Sequence, residues 1–331
     1  MKAMMMTRPG GPEVFEMRNV ETPAIRQSHE VLVRLRAAGV NPIDTKLRAR
    51  GTYAEKQQAV ILGCDGAGII EAVGESIIRF KPGDAVYYCY GGIGLAAGND
   101  AEYAVVPEWV IARKPASIDF AEAAAAPLVL ITAWESLFDR ANIQTGQKVF
   151  VHAGAGGVGH VAVQLAKIAG CEVATSVSSE QNAAFVRKLG ATLAIDYKRQ
   201  DVTRALLQWT NGSGVDVAFD TVGGEAFRQL IPAVGIYGDL VTLLQVPEDV
   251  DWKAVRLRNI RVSQELMLTP MVHGLKQGLM HQADILKRCA AWFEEGKLRV
   301  HVSHRLPLAQ LADAHRLIEA GGMTGKIVLK I

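Results

Sequence analysis

The sequence predicts an α/β protein in which a β-rich domain, drawn from both ends of the chain, flanks a doubly wound parallel-sheet domain. Three observations carry that expectation. Between residue 30 and about residue 110, short alternating strands are separated by turns. From residue 148, near-continuous apolar strands alternate with helical stretches, the pattern of a parallel sheet covered on both faces. After about residue 263 the periodicity becomes irregular, and the chain closes "AHRLIEAGGMTGKIVLKI": a helix, a Gly-Gly stop and a terminal strand expected to rejoin the first domain. The expected domains are 1–120 with 263–331 for the β-rich part and 121–262 for the parallel sheet.

Composition bounds the functional classes. A chain of 331 residues, 49% hydrophobic, can bury a large core and suits two domains. With 36 basic against 34 acidic residues and no basic stripe, nothing points to nucleic acid. No stretch approaches the roughly 20 apolar residues that span a bilayer. Cys64, Cys89, Cys171 and Cys289 lie far apart with no CxxC, so neither a zinc ribbon nor a disulfide framework is indicated, and a reducing, cytoplasmic setting is expected.

The elements follow in order. "MKAMMM" reads as a buried first strand, cut off by Thr7, Arg8 and Pro9 before it could be a signal segment. "EVLVRL" alternates Val31, Val33 and Leu35 on one face. "ILGCDGAGII" places Cys64 and Asp65 between glycines at a strand end. "KPGD" at 81–84 is a turn, and "AVYYCY" and "EYAVV" are β-rich runs around the loop "GGIGLAAGND". "DFAEAAAAPLVLITAWESLFDRA" is helical in composition, with Pro127 bending or ending a segment. Then come strand 148–153, helix 158–169, strand 172–177, helix 181–190 closed by Gly190, and the strands "LAID", "VDVAFDT" and "YGDLVTLL".

The strongest motif is "KVFVHAGAGGVGHVAVQLA". A buried strand runs into Gly154, Gly156, Gly157 and Gly159, and a helix follows with Val158, Val161, Leu165 and Ala169 on its apolar face. A Cβ in such a turn would block it and hold the backbone away from a pyrophosphate, while the helix N-terminus offers N–H groups and a positive dipole end. A lone glycine pattern is weak, but strand, turn and helix within a βαβ run are the context that identifies dinucleotide binding through Ala155, Gly156, Gly157, Val158 and Gly159.

The second strand distinguishes the cofactors. About twenty residues past the glycines, NAD enzymes usually place an acid on the ribose hydroxyls. Here Ser178 and Ser179 stand in that region, and Glu180 falls in the next helix start. A carboxylate facing a 2′-phosphate at ~4 Å would cost roughly 4 kcal/mol at an effective dielectric of 20. NADPH is therefore expected over NADH. The two serines also read as a helix N-cap, and both readings can hold together.

Taken with "MKAM", "AAGVNPIDTKLRARGTY", "PGDAVY", "AAAAPLVLITAWESL", "FDTVGG" and the closing "GKIVL", the chain resembles the zinc-free quinone oxidoreductase branch of the medium-chain dehydrogenase/reductase superfamily over essentially its full length. The resemblance implies a GroES-like catalytic domain joined to a Rossmann domain, with hydride passing from NADPH to a quinone or α,β-unsaturated carbonyl. Zinc-dependent relatives carry ligands where this chain has Asn41 and Cys64, so no metal is expected. The resemblance implies that Asn41 and Asp44 face the nicotinamide and substrate, with a local turn around Pro42 as the structural alternative. It places Thr132 near the nicotinamide, Tyr197 near the 2′-phosphate, Thr221 and Leu244 at strand ends facing the cofactor, and Lys326 as a cofactor contact or a solvated lysine. One departure weighs against NADPH: NADPH-using members often have a Lys three residues after a serine, where this chain has Asn182; Lys198 or Arg199 could substitute. An enoyl or alkenal reductase and a non-catalytic NADPH-binding redox sensor remain as alternatives. A homodimer is expected, pairing through "YGDLVTLL" near the sheet edge.

Overall fold

Residues 1–54 and 59–331 are described by a computed structural model of the chain, and they form two units. The first joins residues Met1–Leu128 to Leu268–Ile331, and the second is Val129–Met267.

In the first unit, Lys2–Met6 forms a strand between Phe15–Asn19 and Val60–Ile61, with Met4 and Met6 turned inward as the Met run predicted. A mixed sheet, seven-stranded among the described residues, runs from Val302–Pro307 through Lys326–Lys330, Glu30–Val40, Asp65–Val73 and Ala85–Cys89 to Ala112–Arg113, with Tyr103–Pro107 also pairing Glu30–Val40. The C-terminal strand therefore lies beside an N-terminal one, with Ile327 opposite Val40 and Leu329 opposite Ala38. The structural alternative at Pro42, with Asn41 and Asp44 bonding local backbone, takes the form of a capping box that opens the nine-residue helix Pro42–Arg50; Pro at the first helical position presets φ and lacks only an N–H that would be unpaired there. Pro127 ends one helix and starts the next: Phe120–Ala125 is capped by Asp119, whose side chain accepts from Glu122 N at 2.8 Å, and Pro127–Trp134 follows.

The second unit is built on six parallel strands among the described residues. Their spatial order is Leu193–Asp196, Glu172–Val177, Lys148–Val151, Val215–Asp220, Val234–Thr242, Arg261–Gln264. In chain order that is 3-2-1-4-5-6, so the direction of winding reverses beside the first strand, and ligands of such sheets bind beyond the carboxyl ends of the strands at that reversal. One face is sealed by Phe150, Ala174, Ile195, Leu206, Phe227, Leu230 and Leu240, all fully buried. The sequence put the first five of these strands in chain order within two or three residues of their places, and gave no sign of the sixth, Arg261–Gln264. Residues 237–244, expected near the sheet edge, belong largely to the last strand but one. Val234–Thr242 is bonded on both sides, and Arg261–Gln264, a short strand with little apolar patterning, is the edge.

Candidate functional site

The glycine-rich turn joins the strand Lys148–Val151 to the helix Gly157–Ile168. Ala153 adopts a left-handed φ of 49°, an unfavourable conformation for a residue with a Cβ, and it is held there by its N–H donating to Ser176 Oγ at 2.9 Å. Gly154 N donates to Ser176 O at 3.1 Å, so the turn is stitched to the second strand. The glycines serve different ends. A Cβ on Gly154 would sit 2.0 Å from Thr175 Oγ1, and one on Gly159 would sit 2.2 Å from Ala153 O, so both are demanded by packing. A Cβ on Gly156 would meet nothing closer than Ala153 O at 3.2 Å, and its φ of −74° suits any residue. What the protein gains from glycine at 156 is an open approach to the backbone. Gly156 is also the N-cap and supplies no side-chain cap, leaving the first N–H groups of the helix for a ligand. The residues present thus fit a dinucleotide pyrophosphate. Ala155 and Gly159 are buried and Gly157 and Val158 half-buried, so Val158 stands nearer the mouth than Val161 and Leu165, which are fully buried.

The carboxyl ends of the neighbouring strands carry Ser178, Ser179, Asn182, Tyr197, Thr221 and Leu244 in the loops and the helix start that follow them. Ser179 caps the helix Glu180–Lys188, its Oγ accepting from Asn182 N at 3.2 Å, while Asn182 Nδ2 donates to Ser178 Oγ at 3.2 Å. Tyr197 N donates to Val177 O at 3.1 Å, tying the loop of the third strand to that of the second, and its ring is half exposed. Thr221 Oγ1 donates to His152 O at 3.0 Å, and the Leu244 side chain packs against Gly223. Thr132 is buried in the helix Pro127–Trp134.

Sequence reasoning missed a polar hub among these ends. Asp220 Oδ1 lies 2.9 Å from His152 Nδ1 and accepts from Val222 N and Gly223 N at 3.0 Å, while Oδ2 accepts from Thr242 Oγ1 at 2.7 Å. Burial alone would raise the Asp220 carboxyl, but the hydrogen bonds from His152, Gly223, Thr242 and Val222 outweigh it and hold it below the usual carboxylate range. The available signal was three polar residues, His152, Asp220 and Thr242, each standing at the carboxyl end of a strand of the parallel sheet. Ser176 likewise gave no motif, although it anchors the turn.

The first unit holds a second polar constellation, and it gathers Asn41, Asp44 and Lys326. Asn41 N donates to Asp44 Oδ2 at 2.8 Å, and Asn41 Nδ2 donates to Asp65 Oδ2 at 2.9 Å. Asp65 Oδ1 accepts from Leu128 N at 2.8 Å. Lys326 Nζ donates to Val40 O at 3.0 Å and to Asn41 Oδ1, and lies 3.9 Å from Asp65 Oδ2. Lys326 is therefore not a solvated lysine: it is 3% exposed, and its ammonium orients the Asn41 carboxamide. Cys64 Sγ lies 3.9 Å from Asp44 Oδ1 and is hydrogen-bonded with Cys89. Asn99, also missed, fixes the bend beneath the cluster by donating to the carbonyls of Gly63, Cys64 and Tyr90 at 3.0 Å each while accepting from Tyr88 OH at 2.7 Å.

The electrostatics follow from burial. Desolvation lifts Asp44 to about 7, reinforced by Asp65 and opposed by the Asn41 N–H and by Lys326. Burial likewise pushes Asp65 up against the pull of Lys326, and pushes Lys326 down against the pull of Asp65 and Asp44. The bond to Cys89 pulls the Cys64 thiol down, but burial and the carboxyls of Asp44, Asp65 and Asp100 outweigh it, so this is no activated nucleophile. The donor set does not fit a catalytic zinc. A carboxamide stands at one expected ligand position, a thiol held protonated at the other, and a lysine ammonium is hydrogen-bonded to that carboxamide. Among the described residues no group of three or more His, Cys, Asp or Glu side chains is arranged to hold a metal ion, and no helix is long and apolar enough to cross a membrane.

Residues 27–116 match the family described as alcohol dehydrogenase GroES-like domain, and residues 189–329 match the one described as zinc-binding dehydrogenase. A quinone oxidoreductase of Pseudomonas aeruginosa is 35% identical over 324 residues, covering 97% of this chain and 96% of its own. Among solved structures, an alcohol dehydrogenase superfamily protein from Novosphingobium aromaticivorans superposes with a TM-score of 0.93 at 32% identity, over 100% of this chain and 99% of the other. The quinone oxidoreductase of Escherichia coli, solved in complex with NADPH, superposes with a TM-score of 0.86 at 26% identity over 100% of both chains.

Proposed function

Because the chain belongs to the quinone oxidoreductase-like part of the medium-chain dehydrogenase/reductase superfamily, we propose that it is an NADPH-dependent, zinc-independent oxidoreductase that reduces a quinone or a similarly electron-poor carbonyl compound. The observation that carries the reading is Gly156: an open backbone position at an uncapped helix N-terminus, at the reversal of a doubly wound sheet.

NADPH supplies a hydride from its nicotinamide when bound, and the work of the chain is to bind, orient and exclude water. The N–H groups opening the helix Gly157–Ile168 hold the pyrophosphate, and Gly156 lets it approach. Ser178, Ser179 and Tyr197 border the adenosine ribose, with no carboxylate among them. Thr221 and Leu244 line the far side of the turn, and the Asp220 hub keeps both strand ends rigid. On the acceptor side we assign Asn41, Asp44 and Thr132. Asp44 fixes the Asn41 backbone, and Lys326 with Asp65 fixes its carboxamide, so that polar positioning replaces metal polarisation. The single proton that completes reduction comes from water, since the hydroquinone monoanion or enolate left by hydride addition is basic enough to take it there. A cytoplasmic homodimer completes the proposal.

The test is oxidation of NADPH and of NADH, followed by loss of reduced-nicotinamide absorbance, with a small quinone and separately with a 2-alkenal, each with and without a chelator. Chelator-insensitive, quinone-driven NADPH oxidation is expected. Loss of activity on chelation would overturn zinc independence, and a faster alkenal rate would make the protein an alkenal reductase. NADPH binding without turnover on either acceptor would make it a sensor.

A further inference from the structure

The adenosine end of the nucleotide site poses a problem of charge. If the cofactor is NADPH, as proposed above, a dianionic 2′-phosphate comes to rest beyond the second strand, where the only side chains on the loop of that strand and the first turn of its helix are neutral or acidic: Ser178, Ser179, Glu180, Gln181 and Asn182. Asn182 is turned back onto Ser178 Oγ at 3.2 Å, so its amide organises the serines rather than reaching outward as a lysine would.

The cation is available one strand away. Val177 and Asp196 are register partners in adjacent parallel strands, and Tyr197 N donates to Val177 O at 3.1 Å, so the two loops leave the sheet side by side, about 4.8 Å apart at their roots. Residues 196–200 form a tight turn: Lys198 N donates to Asp196 Oδ1 at 3.1 Å, Arg199 N and Gln200 N donate to Asp196 O at 3.0 and 2.9 Å, and Asp196 N donates to Gln200 Oε1 at 3.2 Å. From this fixed base the Arg199 side chain extends 85% exposed, and its Nε lies 3.6 Å from Asp196 Oδ2, too long for a hydrogen bond. An exposed pair of that length holds its guanidinium weakly, while a phosphate offers it short, paired, charge-assisted bonds.

We propose that Arg199 is the 2′-phosphate clamp of this chain, swinging from Asp196 onto the phosphate as Ser178 and Ser179 close on its other side. The turn residue thus takes over the part that the helix residue 182 does not play here, and it sets NADPH selectivity. Lys198, which shares the turn and the charge, serves as the control for a merely diffuse positive field.

The test uses the full-length protein and two fragments, adenosine 2′,5′-bisphosphate and 5′-AMP, titrated by calorimetry into wild type, Arg199→Ala, Arg199→Lys and Lys198→Ala. Wild type is expected to prefer the bisphosphate. Arg199→Ala is expected to weaken bisphosphate binding about tenfold or more while leaving 5′-AMP unchanged, with Arg199→Lys intermediate and Lys198→Ala within about threefold of wild type. If wild type shows no preference, the NADPH reading and the clamp fall together. If wild type prefers the bisphosphate and Arg199→Ala keeps that preference, or Lys198→Ala loses as much, the clamp is wrong while the NADPH reading stands.

Discussion

Asp44 offers the sharpest quantitative test of the buried constellation. Its carboxyl moves from an ordinary 3.8 to about 7 on folding, chiefly because burial penalises the charged form. A raised carboxyl means that the folded state binds the proton more tightly than the unfolded one. The associated stability is therefore fully present below pH 3.8 and is lost as pH climbs through the folded value near 7. A proton held only by the folded state changes stability by ~1.4 kcal/mol for each step of one in pH, so between about pH 5 and about pH 8 this one group loses roughly 2–3 kcal/mol. Asp44→Asn removes the titration while its amide oxygen can still accept from Asn41 N. Asp65, Lys326, Cys64 and Cys89 stay in place, so the comparison removes one titrating carboxyl from an otherwise intact constellation. Urea unfolding of both proteins, followed by circular dichroism and tryptophan fluorescence across that pH range, should show the variant gaining on wild type by about 2–3 kcal/mol toward the alkaline end. Parallel pH profiles would refute the argument, because they would mean that Asp44 is already ionised in the folded protein near pH 5.

Two further outcomes follow from the same geometry. Gly156→Ala should leave the melting temperature nearly unchanged but weaken NADPH binding by about tenfold or more, whereas Gly159→Ala, whose Cβ meets Ala153 O at 2.2 Å, should cost about 1–3 kcal/mol of stability; thermal melts and cofactor titration separate the two. Lys326→Met removes the Nζ that donates to Val40 O and Asn41 Oδ1 and faces Asp65, and denaturant unfolding should show a loss of about 3–5 kcal/mol.

The sequence by itself determined what is local. The runs 148–151 and 172–177 read as strands between helices, and glycines between such a strand and a helix set a tight turn there. The serines at 178 and 179 declared both a cap and the absence of an acid. Asn41 and Cys64, at the resemblance's ligand positions, set the expectation of a zinc-independent site. Tertiary structure decided what depends on residues far apart in the chain. That Lys326 is buried against Asn41, 285 positions away, is fixed by the pairing of the last strand with Glu30–Val40. That His152, Asp220 and Thr242 form one hub follows from three strands ending side by side, and that Val234–Thr242 is interior follows from the later strand that covers it. Periodicity reports which face of an element is apolar, but not which element lies beside it. A polar residue at a strand end acquires its partner, its pKa and its role only when the neighbouring strand is in place.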